Sequence, residues 1–209
     1  MIRVRDRKLG KRNGSPARKG ERRMIRGKEM DEMFGEMCTV RDIEALPAGK
    51  RAELIDGQMY MMASPERPHQ QILGRLYRII ADYIDEKGGD CEVNLAPLAV
   101  YINDDEHNYV EPDIFVVCDK DKLDRKGCHG APDWVIEIVS PASEKMDRRI
   151  KLLKYRTAGV REYWIVDPLK ETVTVYDFEK GLEKEYAFHE HIVVGIYEDF
   201  AVHMGGSVL

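Results

Sequence analysis

Val110-Glu-Pro-Asp-Ile-Phe-Val-Val117 and Trp134-Val-Ile-Glu-Ile-Val139 each carry a carboxylate inside a strand-like apolar run. A buried carboxylate must be protonated, paired with a base or bound to a cation, because the ionised form loses its hydration. Valine would fill the same place without that cost. For Asp113 or Glu137 alone, a polar sheet edge or a buried ion pair with one of the many Lys/Arg residues accounts for the observation. Two such strands in close succession favour a shared site.

A third group lies just beyond. In Asp147-Arg-Arg-Ile-Lys151-Leu-Leu-Lys-Tyr155, the residues Asp147, Lys151 and Tyr155 recur every four positions and share one helix face. A surface Asp147–Lys151 pair would contribute about 0.3–0.5 kcal/mol. The alternative is that Lys151 reaches back over the sheet towards Glu137. Ile150 and Leu153 are expected on the inward side of this helix, with Lys151 beside them.

Outward from this centre the pattern is that of one mixed α/β (α+β) domain around a single sheet. Thr39-Val-Arg-Asp can cap a short helix ending near Leu46. Ala52–Ile55 and Gln58–Met62 flank Asp56-Gly57, whose tolerance of positive φ suits a tight hairpin turn. Ile72, Leu73, Leu76, Ile79, Ile80, Tyr83 and Ile84 form one apolar stripe of a helix from about Pro68 to Lys87, ended by Gly88-Gly89. Strands are expected over Glu92–Ile102, Val110–Cys118, Trp134–Val139, Tyr163–Val166 and Thr172–Phe178. A helix over Ser143–Thr157, closed by Gly159, separates the third from the fourth.

The chain has 209 residues, 43% hydrophobic and 34% charged, enough for one sizeable core. No apolar run is long enough to span a bilayer, and no apolar segment follows the basic N-terminus as a secretory signal would require. Cys38, Cys91, Cys118 and Cys128 show no C-x-x-C spacing and read as reduced thiols of a cytoplasmic protein. Cys118, Cys128 and His129 match no zinc-ligand spacing. Walker A, G-x-G-x-x-G, G-x-S-x-G and H-E-x-x-H motifs are absent.

The net charge of −5 conceals an asymmetry. Residues 1–28 hold twelve Lys/Arg against Asp6 and Glu21, a balance of +10 that leaves the remainder at −15. Residues 1–38 read as a basic, disordered arm and 39–209 as the folded domain. Without an apolar pattern or an aromatic residue, 1–28 reads more readily as a solvated leader than as a phosphate-gripping arm; Met24, Met30 or Met33 are alternative starts.

The chain resembles the Uma-type family of restriction-endonuclease-like proteins within the PD-(D/E)XK nuclease superfamily. The resemblance rests on Glu53-Leu-Ile-Asp-Gly57, Ser64-Pro65 with His69, Glu111-Pro-Asp-Ile114 and Val135-Ile-Glu-Ile-Val-Ser-Pro141. It continues through Asp147, Lys151 and Tyr155 to Ala158-Gly-Val-Arg-Glu-Tyr-Trp-Ile-Val-Asp-Pro168, covering about residues 39–200. It implies a restriction-endonuclease-like fold with a central mixed sheet flanked by helices. It also implies an Mg²⁺-dependent endonuclease acting on DNA, with Mn²⁺ as a second ion. Asp113 and Glu137 would bind the metal, helped by the Ile138 carbonyl, and Lys151 would stabilise the growing phosphorane charge or orient water.

The usual E-x-K pattern would put lysine at 139, where this chain has valine, so Lys151 is the migrated candidate. The resemblance implies Glu53 as the further acidic residue of the catalytic set; His69, Asp147 and Tyr155 are candidates to support it. A homodimer is expected, since one site per chain cuts two strands most simply with two-fold symmetry. The competing expectation is a non-catalytic relative that binds nucleic acid or a protein.

Overall fold

The computed structural model describes residues 37–205. The expectations for 1–36 lie outside the described residues. Cys38 already donates its N–H to the Gly57 carbonyl at 2.9 Å.

Element order follows the expected scheme, with additions. The short helix α1 (Val40–Glu44) starts at Thr39, whose hydroxyl and N–H both meet the Asp42 carboxylate. Strands β1 (Ala52–Ile55) and β2 (Gln58–Met61) form the hairpin. Asp56 and Gly57 turn it with φ of 51° and 75°, the mirror-image geometry that suits twisted strands. Helix α2 spans Arg67–Lys87 and ends at Gly88 in the left-handed conformation.

The expected strand over Glu92–Ile102 breaks at Ala96-Pro97, where proline supplies no ladder N–H, into β3 (Glu92–Leu95) and β4 (Ala99–Tyr101). Strand β5 (Ile114–Val117) is shorter than expected. Strand β6 (Gly127–His129), which was not anticipated, pairs in parallel with β4. A Cβ at Gly127 would sit 2.2 Å from the Ala99 carbonyl oxygen, so only glycine permits this approach.

After β7 (Trp134–Ile138) comes a π-helical segment, Met146–Lys151, continuing as α3 (Leu152–Ala158). Then follow β8 (Glu162–Asp167), β9 (Thr172–Asp177), β10 (Leu182–Ala187), β11 (His191–Val193) and β12 (Ala201–His203).

The central sheet has the order β10-β9-β8-β7-β5-β3, in which only β7–β8 is parallel. Two cores cover its faces. One joins Ile72, Leu76, Ile80 and Ile84 of α2 to Ile114, Val116, Trp134, Ile136 and Trp164. The other joins Phe115, Val135, Tyr163 and Ile165 to Tyr155 of α3, Val100 and Ile55. Strand alternation decides the rest: Ile136 and Ile138 face α2, so Glu137 between them faces the side occupied by α3 and the β1–β2 hairpin.

Two expectations are corrected. Ile150 and Leu153 are 40% and 64% exposed, while Asp147, Lys151 and Tyr155 are buried. The charged stripe turns inward because its members have partners there, described below. Cys91 and Cys118, at the end of the β3–β5 ladder, are joined by a disulfide, so the reading of four reduced thiols fails for this pair; Cys38 and Cys128 are free.

Candidate active site

Three elements converge on Lys151. Its ammonium lies 2.8 Å from Glu53 of β1, 2.9 Å from Glu137 of β7 and 3.5 Å from Asp147 of the π-helical segment. Lys151 is only 4% exposed, and the three carboxylates are equally enclosed. The wide turn contributes directly: Asp147 and Lys151 both project from it, and Tyr163 anchors it by donating its hydroxyl to the Asp147 carbonyl at 3.2 Å. Tyr155, one turn further, donates to Glu137 Oε1 at 2.9 Å.

Asp113 borders this cluster at the start of β5. Its Oδ2 accepts from the Ile138 N–H at 2.8 Å and sits 3.1 Å from His69 Nε2. The Asp113 N–H lies 3.4 Å from Glu137 Oε2, so the two carboxylates are adjacent across the β5–β7 ladder. His69 comes from the first turn of α2, beyond the sheet's other face. Every residue assigned to the site from sequence is therefore present: Glu53, Asp113, Glu137, Asp147, Lys151, Tyr155 and His69 belong to one connected hydrogen-bonded set.

The surroundings were less legible. Glu111, itself buried, donates its N–H to Glu53 Oε1 at 3.0 Å. Its own carboxylate accepts from Arg51 Nε at 2.6 Å and from the Tyr109 hydroxyl at 2.7 Å. This layer braces Glu53. The only sequence signal was the two-residue spacing of Glu111 and Asp113. Lys154 pairs with Asp56 of the hairpin turn rather than with the carboxylate cluster.

Charge is unbalanced here. Three buried carboxyl groups surround one ammonium, and a fourth, that of Asp113, lies alongside. Burial pushes the Glu137 carboxyl well above the usual range; Lys151 opposes this, and Asp147, Asp113 and Glu53 reinforce it. Asp147 is raised for the same first reason, with Lys151 again opposing. For Lys151, burial favours the neutral amine, but Glu137, Glu53 and Asp147 together hold it protonated, with its pKa well above the lysine norm. The cluster has an unmet demand for positive charge.

That demand fits a divalent cation. No group of three or more His, Cys, Asp or Glu side chains among the described residues is gathered to hold a metal alone. Mg²⁺, however, is commonly held by one or two carboxylates, with water and substrate phosphate completing its shell. Asp113 and Glu137 offer such a pair. Asp113 uses Oδ2 for both side-chain hydrogen bonds and Glu137 uses Oε1 for Lys151 and Tyr155; Asp113 Oδ1 and Glu137 Oε2, the latter engaged only by the long 3.4 Å contact from the Asp113 N–H, are the oxygens that could take a cation.

A mixed sheet with adjacent carboxylates at the β5–β7 ladder and a lysine from the following helix defines a protein of the restriction-endonuclease-like fold class. The chain belongs to the Uma2 family, whose model, described as "Putative restriction endonuclease", matches residues 33–196. A crystal structure from Anabaena variabilis, entitled that of "a putative nuclease belonging to DUF820", superposes with a TM-score of 0.65 at 20% identity. The match covers 79% of this chain and 94% of that one, and it shows the shared fold. An uncharacterized protein of Synechocystis is 32% identical over 130 residues, which is 61% of this chain and 66%, just under two thirds, of that protein.

Proposed function

We propose that this protein is a metal-dependent nuclease that hydrolyses phosphodiester bonds in DNA, with Asp113 and Glu137 as its metal-binding carboxylates. The observation that carries the reading is Lys151. A lysine one helix downstream of the expected position is buried against Glu137 and Glu53 at 2.9 and 2.8 Å. Family membership supports the nuclease reading, and the oxygen-only donor set favours Mg²⁺, with Mn²⁺ as the alternative.

When bound, the ion supplies Lewis-acid polarisation of the phosphoryl oxygen and a more acidic water. The protein's own groups do the rest. The Ile138 N–H fixes Asp113 Oδ2, and Tyr155 fixes Glu137 Oε1, so both carboxylates are oriented before substrate arrives. Glu53 and Asp147 hold the ammonium of Lys151 protonated beside Glu137, where it can stabilise negative charge developing on phosphorus-bound oxygens. His69 contacts Asp113 and acts as a positioning residue for it. No covalent enzyme intermediate is required, and the expected product carries a 5′-phosphate. A homodimer would let one site per chain cut both strands.

The test is incubation of the protein with supercoiled DNA in Mg²⁺ or Mn²⁺, with an EDTA control. Nicked or linear product should appear only with the divalent ion and should vanish in Asp113→Asn. Absence of nicking by the wild type with either ion would favour a binding module of the same fold.

A further inference from the structure

Beside the carboxylate cluster lies a cleft of about 320 Å³ in which three basic side chains outnumber two acidic ones, Glu44 and Glu111. Lys50, Arg51 and Lys126 border it, Tyr101 and Tyr109 line it, and Glu111 is one of its walls. Arg51 is engaged by Glu111. Lys126 makes only a loose 3.6 Å contact with Glu44 in which both side chains are largely exposed, and Lys50 has no ion pair among the described residues. Two cations are thus available on a body that outside residues 1–28 totals −15.

The aromatic part of the cleft is ordered by its own contacts. Tyr101 stacks on His129 with centroids 4.8 Å apart and meets Tyr109 edge-on at 5.7 Å. His129 is held by Asp104 at 2.8 Å, and the Tyr109 hydroxyl by Glu111 at 2.7 Å.

The position relative to the site is fixed by the backbone. Ala52 lines the cleft and adjoins Glu53; Glu111 lies two residues before Asp113 and donates its N–H to Glu53. Two extended residues span about 7 Å, so the cleft flanks the carboxylates at a range of one or two nucleotides.

We propose that this cleft is a nucleotide subsite: it takes one nucleotide of the substrate strand next to the scissile phosphate, its base against Tyr101 and Tyr109 and its phosphate at Lys50 and Lys126. The inference rests on the nuclease reading and adds how an acidic protein holds a polyanion. The volume lies at the small end of ligand pockets, enough for one nucleotide and too little for a duplex segment. Tyrosine faces stack any base and lysines meet the phosphate, a combination that binds single strands with little sequence preference.

The experiment uses the full chain, a short fluorescently labelled single-stranded DNA and, in parallel, a deoxynucleoside monophosphate, with EDTA present to prevent cutting. Anisotropy is followed as salt is raised. The double variant Lys50→Ala/Lys126→Ala alters exposed side chains and leaves the core intact. It should bind the strand about tenfold more weakly, with the slope of log K against log[salt] reduced by about 1.4, since each lost phosphate contact removes about 0.7. Tyr101→Leu should weaken binding about fivefold or more through lost stacking. Equal binding by wild type and both variants, while the wild type still cuts DNA with Mg²⁺, overturns the subsite and leaves the nuclease reading intact. Monophosphate binding as tight as the strand's also overturns it, marking a small-molecule pocket instead. Failure of the wild type both to bind DNA and to cut it overturns the subsite together with the nuclease reading.

Discussion

Replacing Lys151 by methionine keeps most of the buried stem and deletes the ammonium that three enclosed carboxylates share. Glu53, Glu137 and Asp147 are then left, largely buried, without a cation. Removing one partner of a buried ion pair costs about 3–5 kcal/mol, and here one partner serves three. At pH 7 the variant should lose at least that much stability by urea denaturation. Burial already raises the Glu137 and Asp147 carboxyls, and losing the ammonium that opposes the shift would raise them further above their unfolded values. The native state then holds more protons than the unfolded one, and stability falls as pH rises through that interval. Acidification should therefore restore stability, by about 1.4 kcal/mol per pH unit for each carboxylate taking up a proton. Adding Glu53→Gln should recover part of the loss at pH 7 by removing one of the stranded charges. Mg²⁺ binding should tighten, because Glu137 gains a free lone pair, while DNA cleavage should fall by a factor of about 100 or more. A pH-independent loss below about 1 kcal/mol would refute the buried network and return Lys151 to a surface pair.

Other consequences are more local. Asp113→Asn should abolish Mn²⁺ binding in calorimetry without unfolding the chain, since the amide oxygen can still accept from Ile138; undiminished binding would misplace the metal. Glu162 sits fully buried at the far end of β8, bonded to Trp164 Nε1 at 2.6 Å and to the Ile196 N–H at 2.9 Å, and burial raises its carboxyl to about 7. Its folded pKa exceeds the unfolded one, so its contribution to stability is complete below about pH 4.5 and is lost as pH rises towards 7. Thermal melts from pH 4.5 to 8 should show this decline, and Glu162→Gln should flatten it; an unaltered pH profile in the variant would contradict the assignment. Alkylation of the denatured, unreduced protein should label two thiols, Cys38 and Cys128, and reduction should expose two more and cost roughly 3 kcal/mol of stability. Four labelled thiols before reduction would show that Cys91 and Cys118 are not bonded.

Much of the candidate site is legible in the sequence because its residues break local rules. Glu137 stands inside an apolar strand and Asp113 immediately before one, and valine at 139, where an E-x-K pattern asks for lysine, directs attention on to Lys151. Period-four spacing placed Asp147, Lys151 and Tyr155 on one face. What misled was the premise that the apolar residues of that helix must face the sheet. Ile150 and Leu153 stay exposed because the buried Glu53 and Glu137 recruit the charged face instead, and Glu53 lies far away in sequence. Strand β10 escaped notice because Leu182-Glu-Lys-Glu reads as solvent-facing; it is an edge strand, where charged side chains are usual. The pairing of β4 with β6 depends on a single glycine meeting a distant carbonyl, which no local pattern reveals. The disulfide is likewise a consequence of the β3–β5 register, which places Cys91 beside Cys118 only once the sheet exists.

The proposal that Asp113, Glu137 and Lys151 form one metal-dependent hydrolytic site can be tested by single-turnover cleavage of end-labelled DNA by wild type and Glu137→Gln at saturating Mg²⁺, with the product ends analysed. The wild type should leave 5′-phosphate ends, and the variant, its fold checked by its melting curve, should cleave more slowly by a factor of about 100 or more. Equal cleavage by a folded Glu137→Gln protein, or cleavage that persists in EDTA, would rule such a site out.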